Sequence, residues 1–121
     1  MYFKNLVREI ASKSFTIPIL DISMQKQSVY ITVKDLLKGK LSKTSGPVRI
    51  YITDNGYHLG DGYHRVLEAI LKGKKSIKAI KDNRFATEFT TNQLWYPDFK
   101  SPTYGLTSLG FLPEEINNIE V

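Results

Sequence analysis

The spacing of hydrophobic and polar positions changes several times along the chain, and each change predicts an element. Val48-Arg49-Ile50-Tyr51-Ile52-Thr53 alternates strictly, the period of a half-buried strand. Asp54-Asn55-Gly56 is a hairpin signal, so Tyr57-His58-Leu59 is expected to return antiparallel. From about Tyr63 to Lys72 the period lengthens to that of a helix. Tyr63, Val66, Leu67, Ala69, Ile70 and Leu71 are its apolar residues, and Gly73 is its C-cap. Ser76 to Ile80 reads as a further strand, inserted beside the hairpin after the helix crosses over.

Upstream, residues 2–14 fit an amphipathic helix, with Phe3, Leu6, Val7, Ile10 and Ala11 on one face. Phe15-Thr16-Ile17-Pro18-Ile19-Leu20 reads as extended, and Pro18 restricts it to a sheet edge or a loop. A short helix is expected over residues 33–38, with Thr32 as N-cap, Asp35 at the third helical position and Gly39 as terminator. Residues 41–47 form a polar loop. Downstream the pattern weakens. Phe85 and Phe89 fit a helix, Leu94 to Phe99 is an aromatic segment, and Leu112-Pro113-Glu114-Glu115-Ile116 predicts a short terminal helix. Strands mixed with helices predict an α/β fold (α+β in stricter usage): a small mixed sheet with flanking helices. A length of 121 residues predicts one domain, 1–121.

Composition narrows the function classes. No apolar run approaches a membrane span, and residues 1–5 lead into an amphipathic stretch and not a signal-peptide core. The expectation is a cytoplasmic chain without a membrane partner. With no Cys there is no disulfide framework, zinc finger or thiol nucleophile. Two His and scattered acids make no transition-metal site. The net charge of +5 permits nucleotides or nucleic acid as partners without demanding either.

The segment with most chemistry is Gly60-Asp61-Gly62-Tyr63-His64-Arg65, between a strand and a helix. Glycines let backbone approach a ligand closely, and a helix N-terminus favours anions. Asp61, His64 and Arg65 add an acid, a titratable base and a permanent cation within one turn. Together these predict a phosphate site made by Gly60, Gly62, Tyr63, His64 and Arg65. Asp61 and His64 are the candidate catalytic groups, for proton transfer or for facing Mg²⁺. The bland alternatives are an exposed Arg65 paired with Glu68, an Asp61 serving only as N-cap, and a His64 with no role. Glu68, one turn beyond His64, is placed to orient the imidazole or to be solvated. His58 either lines the site or is an alternating surface position.

The order of hairpin, Gly-Asp-Gly-Tyr-His-Arg, helix with small residues, Gly73 and strand resembles the ParB/sulfiredoxin superfamily. The resemblance covers about residues 15–81; residues 82–121 form an extension without a counterpart. It implies a ParB/sulfiredoxin-like fold that binds nucleotides or phosphates, with Arg65 as phosphate ligand. Implied cofactors are ATP, ADP or CTP with Mg²⁺, and implied activities are phosphoryl transfer or hydrolysis. Sulfiredoxins carry a Cys in this motif, Tyr63 occupies its neighbourhood and the chain has no Cys, so sulfiredoxin activity is excluded. Partition proteins need helix-turn-helix and dimerisation domains for which 121 residues leave no room, so a minimal stand-alone member is implied.

Two other classes remain open. Lys72, Lys74, Lys75, Lys78 and Lys81 could contact DNA, as in a nuclease-like accessory protein, or form a solvated edge without stacking aromatics. Trp95, Tyr96, Phe99 and Tyr104 could bind a protein partner, or complete a small core.

Overall fold

Val48 and Ile50 are buried and Arg49 is exposed, and the strand they form is the centre of the sheet. The computed structural model describes residues 13–54, 56–82 and 93–121. Its strands are β1 (Phe15–Pro18), β2 (Ile22–Gln25), β3 (Val48–Thr53), β4 (Gly56–Asp61), β5 (Ser76–Lys81) and β6 (Leu94–Trp95). Its helices are α1 (Lys26–Leu37), α2 (Tyr63–Leu71) and α3 (Pro113–Asn117), with 3₁₀ turns at Ile19–Asp21 and Leu106–Leu109. The sheet runs β1-β5-β3-β4-β2-β6. β2 is parallel to β4 and β5 to β3, while the other three pairings are antiparallel. This is a small α/β fold with a mixed sheet, as the periodicity predicts.

The register divides the sheet into two unlike faces. Ile17, Ile22, Met24, Val48, Ile50, Leu59, Ala79 and Trp95 share one face and are all buried. The stripe Val66, Leu67 and Ile70 of α2 and Val29, Val33 and Leu36 of α1 complete that core. The other face carries Thr16, Ser23, Arg49, Tyr51, His58, Ser76 and Lys78. Both long helices end in the same hydrogen-bonded motif, with Gly39 and Gly73 just past the last turn. Lys40 N–H donates to the Asp35 carbonyl and Lys74 N–H to the Ala69 carbonyl.

Several expectations hold. Pro18 lies on an edge strand, Tyr57 to Leu59 return antiparallel, β5 pairs beside the hairpin, and α3 starts at Pro113. Others are corrected. The helix expected over 33–38 begins at Lys26, and Thr32 is not its cap but a buried mid-helix residue. Its Oγ1 donates to the Ser28 carbonyl at 2.7 Å. The β-branched residues Val29, Ile31, Thr32 and Val33 each cost up to about 0.7 kcal/mol of helix propensity. Burying Val29, Val33 and Leu36 contributes about 1.5–3 kcal/mol each, so packing wins. Ile19 and Leu20 form a 3₁₀ turn and not strand. The helix expected over 2–14 and that with Phe85 and Phe89 fall outside the described residues, apart from Lys13 and Ser14, which are not helical.

Candidate functional site

Because β2 and β4 are parallel neighbours, the helices that follow them start side by side. α1 begins after Gln25 and α2 after Gly62, and no side chain caps either helix. The starts are stitched together, since the Gln25 N–H donates to Tyr63 Oη at 3.0 Å. Ser28, one turn into α1, donates to Gln25 Oε1 and also lies against the Tyr63 hydroxyl. Burial pushes the Tyr63 phenol above its ordinary value, despite these two partners, so it stays neutral. Around this junction Gln25, Ser28, Tyr51, His58, Leu59, Gly60 and Tyr63 line a cleft of about 220 Å³.

His58 forms part of its wall. It is not an alternating surface residue but only 5% exposed. Its Nδ1 is 2.8 Å from Ser23 Oγ, and its ring stacks on Tyr51 at 6.5 Å. Ser23 gives its one hydroxyl hydrogen to the Tyr57 carbonyl. Desolvation lowers the His58 pKa, so the ring is neutral at pH 7.

The predicted phosphate loop is shorter than a loop. Gly60 and Asp61 are the last residues of β4, and Gly62 alone turns the chain into α2. Gly62, and not Asp61, is the N-cap, with φ 105°. A Cβ there would stand 2.6 Å from Val48 Cγ1, and one on Gly60 would stand 2.8 Å from Tyr51 Cε2. Both glycines thus make room for protein side chains. Asp61 is largely exposed, 3.8 Å from an Arg65 nitrogen.

His64 and Arg65 turn away from the cleft in different directions. His64 Nε2 meets Asp35 Oδ2 on α1 at 3.2 Å, with both side chains about one-third exposed. Glu68 does not orient this imidazole and is not simply solvated, because its Oε2 accepts the Ser42 N–H at 3.0 Å. Arg65 Nη1 donates to the Gly46 and Pro47 carbonyls at 3.2 and 2.7 Å, which pins the 38–47 crossover to α2. Arg65 also reaches a second concavity of about 480 Å³, lined with Thr16, Glu68, Lys72, Lys74, Ser76 and Lys78 among others.

No protein-family model matches this chain, and no curated protein is significantly similar to it. Function rests on the site alone. The structure brings Gly60 and Tyr63 to one cleft and separates them from the side chains of Asp61, His64 and Arg65. Among the described residues no group of three His, Cys, Asp or Glu is placed to hold a metal ion. No helix there is long and apolar enough to cross a membrane. Trp95 is a core residue, its Nε1 donating to the Gly105 carbonyl, and Phe99 packs edge-on against Tyr104. Tyr96 alone of that set is exposed. Lys75, expected on a run without aromatics, stands over the Phe99 ring at 4.4 Å.

Sequence reasoning missed Asp35, Ser28, Gln25 and Tyr51 as partners of this region. Only Tyr51 carried a local signal: a cross-strand neighbour of His58 follows once the Asp54-Asn55-Gly56 turn fixes the hairpin register.

Proposed function

We propose that the protein binds a phosphate-bearing small ligand, nucleotides included, at the joined starts of α1 and α2. One observation carries this reading: two helix N-termini without side-chain caps flank one cleft whose lining is polar and neutral. Their first-turn N–H groups and partial positive charges favour an anion. Such sites lie at the carboxyl ends of parallel strands, which is where β2 and β4 end. Ser28, Tyr51 and Tyr63 add hydroxyls that donate to phosphate oxygens.

Size refines the ligand. A cleft of about 220 Å³ is smaller than the ~300 Å³ at the lower end of sites for whole drug-sized molecules. It holds a phosphoryl group, with the remainder of the molecule outside it. Selectivity among ATP, ADP, CTP and GTP is therefore weak. Any Mg²⁺ would arrive with the phosphates of the ligand, since Asp61 is exposed beside Arg65 and does not line the cleft. His64, turned toward Asp35, does not line the cleft, so the reading is of ligand binding and assigns this residue no step in phosphoryl transfer or hydrolysis. The ParB/sulfiredoxin resemblance points the same way.

Calorimetric titration of inorganic phosphate and the four nucleotides, with and without Mg²⁺, tests the reading. Wild type is expected to bind, and Ser28→Ala and Tyr63→Phe to bind about tenfold more weakly, the effect of one hydrogen bond to a charged ligand. No heat with any of these ligands, or unchanged affinity in both variants, would remove the site.

A further inference from the structure

We propose a second site with a different ligand: the groove between α2 and the β1–β5 edge binds the sugar-phosphate backbone of a nucleic acid. Among the described residues Arg65, Lys72, Lys74 and Lys78 line it, against one acid, Glu68. Glu68 already accepts the Ser42 N–H, and Arg65 is engaged by the Gly46 and Pro47 carbonyls. Among the described residues no carboxylate lies within ion-pair distance of Lys72, Lys74 or Lys78. Three ammonium groups without an ion-pair partner among the described residues therefore line one concave surface, where mutual repulsion is relieved by a polyanion.

The remaining lining selects the kind of polyanion. Thr16 and Ser76 contribute hydroxyls that suit phosphate oxygens, and Ala69 and Ile77 contribute apolar area. Among the described residues no aromatic side chain lines the groove, and they offer bases no stacking platform. Recognition is of backbone and not of sequence. At about 480 Å³ the groove exceeds one phosphate. The exposed Arg49 continues it on the same sheet face, opposite Ile80 and two residues along β5 from Lys78. A ligand with several phosphates in line fits this better than a single nucleotide.

The test is fluorescence anisotropy with a labelled oligonucleotide, single-stranded and as a duplex, alongside sedimentation with vesicles containing an anionic lipid. Three lysine–phosphate contacts predict a salt slope near −2 for single strands, or about a 20-fold loss of affinity between ~50 and ~200 mM salt. Combined Lys72→Glu, Lys74→Glu and Lys78→Glu is expected to abolish binding, and the three Lys→Arg changes to retain it. Lys38→Glu, Lys40→Glu and Lys43→Glu alter net charge equally, outside the groove, and are expected to cost less than about threefold. Equal loss in both Glu triples would overturn the proposal, as would vesicle binding without oligonucleotide binding. Phosphate titration at the cleft is expected to be unchanged in the groove variants, so the two readings fail separately.

Discussion

The cleft at the start of α2 and the groove along Arg65, Glu68 and Ala69 of the same helix are built on opposite principles. The cleft is organised: Gln25, Ser28 and Tyr63 are joined by hydrogen bonds, His58 is held by Ser23, and among the described residues its lining carries no formal charge at pH 7. The groove is charged: its lysines are exposed and unpaired among the described residues, while Arg65 and Glu68 are held by backbone groups of the 38–47 crossover. Fixed dipoles keep their strength in salt because little solvent lies between them and a ligand, whereas exposed charges are screened beyond about 10 Å at ~0.1 M. A preorganised neutral site suits discrimination, and a cationic surface suits fast, unselective capture.

The strongest way to break the contrast is to damage what both sites share. Gly62→Ala puts a side chain at φ 105° and 2.6 Å from Val48 Cγ1. A loss of about 3 kcal/mol is expected in urea unfolding, with both binding activities falling together. Arg65→Ala comes next. It frees two carbonyls of the 38–47 crossover, and about 2 kcal/mol of stability goes with them. Hydrogen exchange is expected to show the crossover loosened, so lost ligand binding in this variant reports the loop as well as any phosphate contact. Tyr63→Phe acts on the cleft alone. It leaves the Gln25 N–H without its acceptor, for about 1 kcal/mol, and leaves oligonucleotide binding intact.

The smallest effect is on pH dependence. His58 has a folded pKa below the ordinary value near 6.5, so the unfolded chain binds its proton first. Its contribution is flat above about pH 6.5. Below that, stability falls as pH drops toward the folded pKa, by at most about 1.4 kcal/mol per pH unit. His58→Asn is expected to flatten that slope in acid unfolding curves without altering the salt dependence at the groove.

The parts legible in the sequence were those with local causes. The strict alternation of residues 48–53 gave β3, the turn residues after it gave the hairpin, and Gly39 and Gly73 gave both helix ends. Long-range causes were hidden. Nothing near Thr32 says that it sits in mid-helix, because packing of Val29 and Val33 decides that. Nothing in Gly60-Asp61-Gly62 says that its bare Cα atoms face Tyr51 and Val48, since a ligand and a side chain ask for the same missing Cβ. His64 and Asp35 are 29 residues apart, and a parallel β2–β4 pairing is needed before their helices meet.

The pairing of Met24 with Trp95 has a further consequence, for where this chain can be cut. Residues 15–81 look self-contained by resemblance, yet β6 covers the outer edge of β2, and the Trp95 indole fills core space against that strand. A chain ended after Asp82 would expose a row of unpaired β2 backbone groups beside Ile22 and Met24. That is a template for another copy to add a strand. Such a fragment should precipitate or form intermolecular sheets, and the boundary for expressing this fold belongs beyond α3.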